Sequence, residues 1–276
     1  TYGVVRSQWN EANSAFRTIH VAADGKFYNP NNTSGFYSIG GQVYRDEAGD
    51  SDLEHTNIAL NGSYTKALDR ENFISIGFQL GVGQRKFSQG NLTWDRQFFD
   101  GVHNPGTASN ENFSNATNVF LDAGAGMNWH GKKLTSRSTM NVGVGFYHIN
   151  RPDQSFNDGE ESRMPARVSI YILPTIQVHN KFDLVLNGNA QLQGEYTELL
   201  GGAAVRYHLN TTPTENLAIQ LGSSFRFNAI GDALVLGFEL HHRFVQVGFS
   251  YDLNVSEFRE ATNRNGGPEL TARYII

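Results

Sequence analysis

Hydrophobic and polar residues alternate along most of the chain. In the stretch from Val168 to Val178, Val168, Ile170, Ile172, Pro174, Ile176 and Val178 fall on one face. Ser169, Tyr171, Leu173, Thr175 and Gln177 fall on the other. Phe182, Leu184, Leu186, Gly188, Ala190 and Leu192 likewise oppose Asp183, Val185, Asn187, Asn189 and Gln191. Leu234, Leu236, Phe238 and Leu240 oppose Val235, Gly237, Glu239 and His241. Helical spacing would scatter these residues around an axis, whereas strand spacing sorts them by face. The same test predicts about fourteen strands. They fall near 2–9, 14–25, 35–45, 54–66, 72–86, 117–130, 134–149, 166–179, 181–193, 197–208, 216–227, 232–241, 243–252 and 268–276. No comparable amphipathic helix appears. No linker or shift of composition divides the chain, so residues 1–276 read as a single domain.

The connections between these strands alternate in length. If the first strand runs outward, the inner turns include 67–71, 131–133, 179–181 and 241–243, all short. The outer connections include 46–52, 87–116, 150–162 and 253–267, most of them longer. The inner turns at 26–34 and 209–215 are longer than the rest. Short turns at one end and long loops at the other mark transmembrane β-barrels.

A soluble sandwich also alternates, burying its apolar faces against each other. Three features favour a closed antiparallel membrane barrel instead. Many predicted strands reach the length of about 9–11 residues that a membrane crossing needs. Aromatic residues such as Trp9, Tyr64, Phe73, Trp129, Tyr207, Phe244, Tyr251 and Tyr274 sit near strand ends, where interfacial girdles belong. The alternation of loop lengths has no reason to arise in a sandwich. In a barrel, the face opposite the apolar one lines the lumen. Asp122, Arg167, Asp183, Arg206, Arg226, Glu239 and Arg273 are the candidate lumen-lining charges. Gly77, Gly81, Gly83, Gly124, Gly126, Gly143 and Gly145 share that inner face and relieve crowding where the sheet curves.

Composition now makes sense. Hydrophobic residues make up 39% and charged residues 18% of the 276, with 29 Gly and 12% aromatics. Only every second residue of a barrel strand meets lipid, so a membrane protein can be this polar on average. No run approaches the roughly 18 apolar residues of a transmembrane helix. The absence of Cys removes disulfides and thiolate metal sites. A net charge of −5 gives no reason to expect a nucleic-acid partner. Thr1 to Trp9 shows neither the basic nor the apolar region of a signal peptide, as in a trimmed or mature chain.

Catalytic signatures are absent: there is no G-x-S-x-G, H-E-x-x-H or P-loop, and Gly81-Val82-Gly83 and Gly143-Val144-Gly145 lie inside strands. No enzyme or cofactor is expected, although a Ser/His or Asp/His pair from different strands would escape a reading of sequence spacing. Adjacent His241 and His242 face opposite ways in a strand and cannot share a metal. The acidic run Asp46, Glu47, Asp50, Asp52 and Glu54 could hold Ca²⁺ through Asp46, Asp50 and Asp52, though it does not fit the EF-hand pattern. Solvated loop charge is the simpler reading there and at Asp158-Gly159-Glu160-Glu161. The longest loop, 87–116, carries Trp94, Asp95, Arg96, Phe98 and Phe99. Aromatics beside charge in a loop suit a protein contact, or else fold back onto the barrel rim. Phe258 and Arg259 in the last outer loop are weaker candidates of the same kind.

The stretch Val247-Gly248-Phe249-Ser250-Tyr251-Asp252-Leu253-Asn254-Val255-Ser256, followed by Gly266-Gly267-Pro268-Glu269-Leu270, resembles the terminal signature of the PorP/SprF family of type IX secretion membrane proteins. Arg6-Ser7-Gln8-Trp9 resembles the family's early R-x-Q-W, and Gly40 to Gly49 and Ile76 to Gly81 resemble a strand and loop and the strand that follows. The family's usual Asn- and Pro-rich N-terminal segment is missing. The resemblance spans nearly the whole chain. It implies an outer-membrane barrel of a Gram-negative bacterium, in the Bacteroidota, tied to type IX secretion and gliding. It also implies a role in exporting a large adhesin and holding that partner's C-terminal domain at the surface, together with periplasmic lipoproteins of the machinery. A passive channel or transporter for small solutes is the alternative expectation, and an outer-membrane hydrolase a remote third.

Overall fold

A computed structural model describes residues 1–8, 16–30, 34–49, 51–88, 92–108, 116–157, 161–212, 215–228, 232–255 and 265–275. The strands in chain order are β1 (Tyr2–Gln8), β2 (Phe16–Tyr28), β3 (Gly35–Ala48), β4 (Leu53–Ala67) and β5 (Asn72–Lys86). A short hairpin of β6 (Phe98–Phe99) and β7 (Val102–His103) follows. The wall resumes with β8 (Thr117–Lys132), β9 (Thr139–Tyr147), β10 (Arg167–His179), β11 (Phe182–Gln193) and β12 (Tyr196–Asn210). It ends with β13 (Leu217–Asn228), β14 (Asp232–His242), β15 (Val245–Asn254) and β16 (Asn265–Tyr274). All but β6 and β7 join into one closed antiparallel barrel in which each strand pairs with its neighbours in the chain. The seam closes where β1 pairs with β16, from Tyr2 opposite Arg273 to Arg6 opposite Glu269. Closure leaves no unpaired edge, which is the condition for crossing lipid with strands.

The packing is inside out relative to a soluble protein. Buried hydrophobic residues are few among the described ones: Ala59, Phe87, Phe120, Met164, Ala218 and Ala233. The large aliphatic residues lie on the outer wall, with Leu60 72%, Leu80 71% and Leu121 72% exposed. Asp122, Asp183 and Asp252 point the other way and are buried. Only an apolar surrounding medium makes that arrangement favourable, because each outward side chain left in water would forfeit about 1.5–3 kcal/mol of transfer energy. The sandwich alternative is therefore rejected. No helix among the described residues is long and apolar enough to cross a membrane.

One barrel end carries the short connections, including 180–181 and 243–244. Both chain ends are there too: the Thr1 ammonium donates to the Tyr274 carbonyl at 2.9 Å. The opposite end carries the long connections 87–116 and 148–166. The short-turn end is the periplasmic one by the rule for such barrels.

Two expected strands differ in detail. The segment near 134–149 is a strand only over Thr139–Tyr147. Residues 133–138 form a turn closed by the Lys133 N–H on the Ser138 carbonyl. Exposed Leu134 had supplied a false alternation there. The last strand starts earlier than expected, so Gly266 and Gly267 lie inside β16 and not in the preceding loop. A side chain on Gly266 would collide with the Asp252 backbone, and one on Gly267 with the Ser7 carbonyl. The paired glycines let β16 thread between β15 and β1.

Candidate functional site

Alternation drives the polar residues of every strand into the lumen, where they meet in clusters. Near the long-loop end, Asp252 accepts hydrogen bonds from Arg6 at 2.5 Å, Arg226 at 2.6 Å and Gln8 at 3.2 Å. Near the periplasmic end, Asp183 accepts from Arg137 Nη2 at 2.8 Å and Nε at 3.2 Å, and pairs with His208 Nε2 at 2.7 Å. Arg137 comes from the 133–138 turn, which folds inward, and its guanidinium also donates to the carbonyls of His179 and Asn180. In register with Asp183 across β12, β13 and β14, Arg206 donates twice to Gln220, and Glu239 pairs with His241 at 2.8 Å. Asp122 pairs with His148 Nδ1 at 2.9 Å and accepts from Asn57 at 3.5 Å. Arg167 lies over the Tyr147 ring, 4.5 Å from its centroid. Arg273 borders a cavity of about 560 Å³ together with Asn141, Tyr171, Asn187 and Glu198. The seven candidate lumen charges thus all sit on inward positions.

A cavity of about 930 Å³ lies at the long-loop end and includes Tyr44, His55, Asn57, Arg85, Asp122 and Arg167 in its lining. A smaller one, about 470 Å³, is bounded largely by small residues, among them Ala22, Gly40, Gly62, Gly77, Gly124 and Gly126. The wall of β2 to β9 is therefore recessed, while β11 to β16 carries most of the bulky charged side chains.

The connection 148–166 covers the mouth. It leaves β9 at His148, whose φ of 55° ends the strand. Asn150 then does a strand's work with its side chain: its Oδ1 accepts the Ala123 N–H at 3.1 Å and its Nδ2 donates to the Leu121 carbonyl at 2.7 Å. Further along, Gln154 accepts from Arg85 at 2.5 Å, the Ser155 carbonyl accepts from Asn118 at 2.6 Å, and Phe156 packs on Phe87 with centroids 4.7 Å apart. Met164, within the strap, is buried, and its N–H donates to the Pro152 carbonyl at 2.9 Å. Read as sequence, this connection shows no role beyond an acidic tip. Its signals were the two prolines, Pro152 and Pro165, bracketing a polar run.

Asp153 holds the strap in shape. Its Oδ1 accepts the backbone N–H groups of Ser162 at 2.9 Å and Ser155 at 3.0 Å. The Ser162 bond first, and the Ser155 bond next, hold its carboxyl below the ordinary 3.8. A depressed value in the folded state means that this contribution is complete above the unfolded value and is lost as pH falls through the folded one. Protection of the Ser155 and Ser162 amides against hydrogen exchange is therefore expected to persist down to about pH 4 and to fall below it. Asp153→Asn is expected to weaken that protection already at pH 7, read by exchange mass spectrometry; equal protection in both chains would contradict the assignment.

The 87–116 loop is built around Gln97. Its side chain accepts the Trp94 N–H at 3.0 Å and donates to the Thr107 carbonyl at 3.2 Å. Its carbonyl accepts the Asn104 N–H at 2.7 Å. These bonds carry the β6–β7 hairpin, whose turn residues Asp100 and Gly101 have φ of 48° and 78°. Asp-Gly between short apolar runs is a strong two-residue hairpin signal, and it was legible in the sequence. The hairpin presents Phe98, Phe99 and Val102 outward, with Phe99 81% exposed. Asp95 and Arg96 are exposed beside it and Trp94 is half-buried. Phe98 and Phe99 are exposed, whereas Phe87 at the start of the same loop is buried against Phe156.

The remaining candidates separate. Asp46 turns into the lumen and accepts from Thr18 at 2.5 Å. Asp52 lies in the turn that closes on the Gly49 carbonyl. Arg45 bridges Glu54 at 3.1 Å and Glu47 at 3.6 Å. Asp50, Phe258 and Arg259 lie outside the described residues. No group of three or more His, Asp or Glu fit to hold a metal occurs among the described residues.

Known structures with a related shape include a crystal structure of an outer membrane channel from Pseudomonas putida F1. It is 14% identical with a TM-score of 0.44, and 99% of this chain and 93% of that one are covered. Another is BamA from Haemophilus ducreyi lacking POTRA domains 1–3, 10% identical with a TM-score of 0.46, covering 99% of this chain and 70% of that one. Comparison with curated proteins gives no match. The sequence profile of the type IX secretion system membrane protein PorP/SprF matches residues 2–274, nearly the whole length. This chain, a closed β-barrel of the outer membrane, belongs to the PorP/SprF family of type IX secretion membrane proteins.

Proposed function

We propose that the protein helps export a large surface adhesin and then anchors that protein's C-terminal domain at the cell surface, as a non-enzymatic part of the secretion and gliding machinery. The observation that carries this reading is the β6–β7 hairpin. Phe98, Phe99 and Val102 form an apolar tip standing in water at the long-loop end. Exposed apolar residues beside Asp95 and Arg96 have the make-up of a protein contact. The 46–54 and 253–267 connections border the same end and add to the grip, with Phe258 and Arg259 as contributors. Periplasmic lipoproteins of the machinery meet the short-turn end, and lipid surrounds the wall. Ca²⁺ at Asp46, Asp50 and Asp52 is a lesser proposal, because Asp46 already bonds Thr18.

The test is deletion of residues 90–113 in the native host. The barrel is expected to fold and reach the outer membrane, shown by heat-modifiable migration on a gel, while adhesin display at the surface is lost. Normal display by that variant would refute the assignment of the loop. The cavities in the lumen favour a second reading, a passive channel for small solutes. A steady open conductance with solute flux in planar bilayers would support that reading over the first.

A further inference from the structure

Three buried polar atoms without a hydrogen-bond partner among the described residues belong to side chains that line one cavity, the one at the mouth: His55 Nε2, Asn57 Oδ1 and Arg167 Nε. Asn57 is only 6% exposed. Orphans of this kind are costly, and several around one cavity point to a ligand. Register brings the cavity's groups together. Asp46, His55 and Arg85 stand directly opposite one another across β3, β4 and β5.

The charges of the cavity are unequally committed. The acids of the lining are Asp46, bonded to Thr18, Asp122, bonded to His148, and the exposed Glu195. Arg85 meets only neutral groups among the described residues, the Gln154 amide and the Phe156 ring. Arg167 meets the Tyr147 ring. Water can satisfy a neutral orphan, but an uncommitted guanidinium gains most from an anion, and the flat fork of arginine fits a carboxylate. The unmet acceptor, Asn57 Oδ1, calls for an N–H beside that carboxylate. A sugar acid would need open aromatic faces to stack on. Here the Tyr147 and Phe156 rings are covered by the two guanidinium groups and His55 is enclosed by Tyr44 and Phe120 at 5.9 and 6.0 Å, which leaves Tyr196 as the open ring among the described lining residues.

We propose that the mouth cavity captures the free C-terminal carboxylate of an extended peptide, with Arg167 and Arg85 on the carboxylate and Asn57 on the adjacent amide. This rests on the reading above, that the barrel holds the end of an exported chain, and it names the group recognised. The 148–166 strap, which supplies His148 and Gln154 to the lining, must remain in place for the site to exist.

The experiment uses the whole purified protein in detergent with a fluorescent random-sequence decapeptide pool, once with free carboxyl ends and once amidated. The free-acid pool is expected to bind at least about tenfold more tightly. Arg167→Gln is expected to abolish the difference and Arg167→Lys to keep part of it, while Arg70→Gln in a periplasmic turn retains it in full. Each variant is checked for a folded barrel by heat-modifiable migration. Equal binding of the two pools overturns the proposal, as does a full acid preference in Arg167→Gln. Competition by oligogalacturonate as strong as that by the free-acid pool also overturns it. Surface display of adhesin separates the two readings. Acid preference with display untouched by deleting the whole protein defeats the anchoring function alone; normal dependence of display with no acid preference defeats this inference alone.

Discussion

Replacing Asp183 with alanine is expected to destabilise the barrel by about 3 kcal/mol. The carboxylate is 1% exposed and joins three parts of the chain: β11, the end of β12 through His208, and the 133–138 turn through Arg137. Without it, the Arg137 guanidinium keeps only carbonyl partners at a site that is partly closed to water. The penalty is that of a stranded charge, not of one lost contact. Arg137 is itself 33% exposed, so water offsets part of the cost and the low end of the usual range applies. The readout is the urea midpoint of the heat-modifiable band. Asp183→Asn keeps the shape and one acceptor and is expected to lose less. An alanine variant as stable as the parent would remove Asp183 from its structural role.

The second large effect belongs to the outer wall. Leu80 lies in the middle of β5, 71% exposed, beside Leu60 on β4. Leu80→Arg is expected to cost about 2–4 kcal/mol, the penalty for arginine at the bilayer midplane. Gln79→Arg, one residue away, points into the lumen and is expected to cost far less. The contrast follows from the period of two alone, since a shift of one residue exchanges lipid for water. Refolding equilibria in lipid vesicles measure both. Equal tolerance of the two arginines would mean that Leu80 does not face lipid.

Most of the wall was legible because a barrel strand repeats one instruction. The barrel strands sort most apolar residues outward and most polar ones inward, and the fourteen expected strands match the fourteen of the barrel to within a few residues at most ends. Errors arose where a turn imitates the period, as at Leu134, or where glycine does not imply a loop. Gly266 and Gly267 are strand residues chosen for the close approach of Ser7 and Asp252. The site was less legible for a physical reason. The inward set is written in single residues such as Asp122, Asp183 and Arg226, but their partners come from distant strands and turns. Asp183 finds Arg137 and Asp252 finds Arg6, and no local spacing encodes either pairing. The strap at 148–166 escaped for the same reason: the side chain of Asn150 takes the place of a strand partner, which no alternation announces. The hairpin at Phe98 to His103 was missed although Asp100-Gly101 marks it.

The anchoring role predicts its own company. Affinity purification of the full-length protein from the native outer membrane, with identification of the proteins recovered, tests it most directly. The expected result is co-recovery of type IX secretion components and of one large surface protein held through its C-terminal domain, with that surface protein lost when residues 90–113 are removed. Recovery of the barrel with neither, from membranes in which the purified protein conducts as a steady open pore, would contradict it.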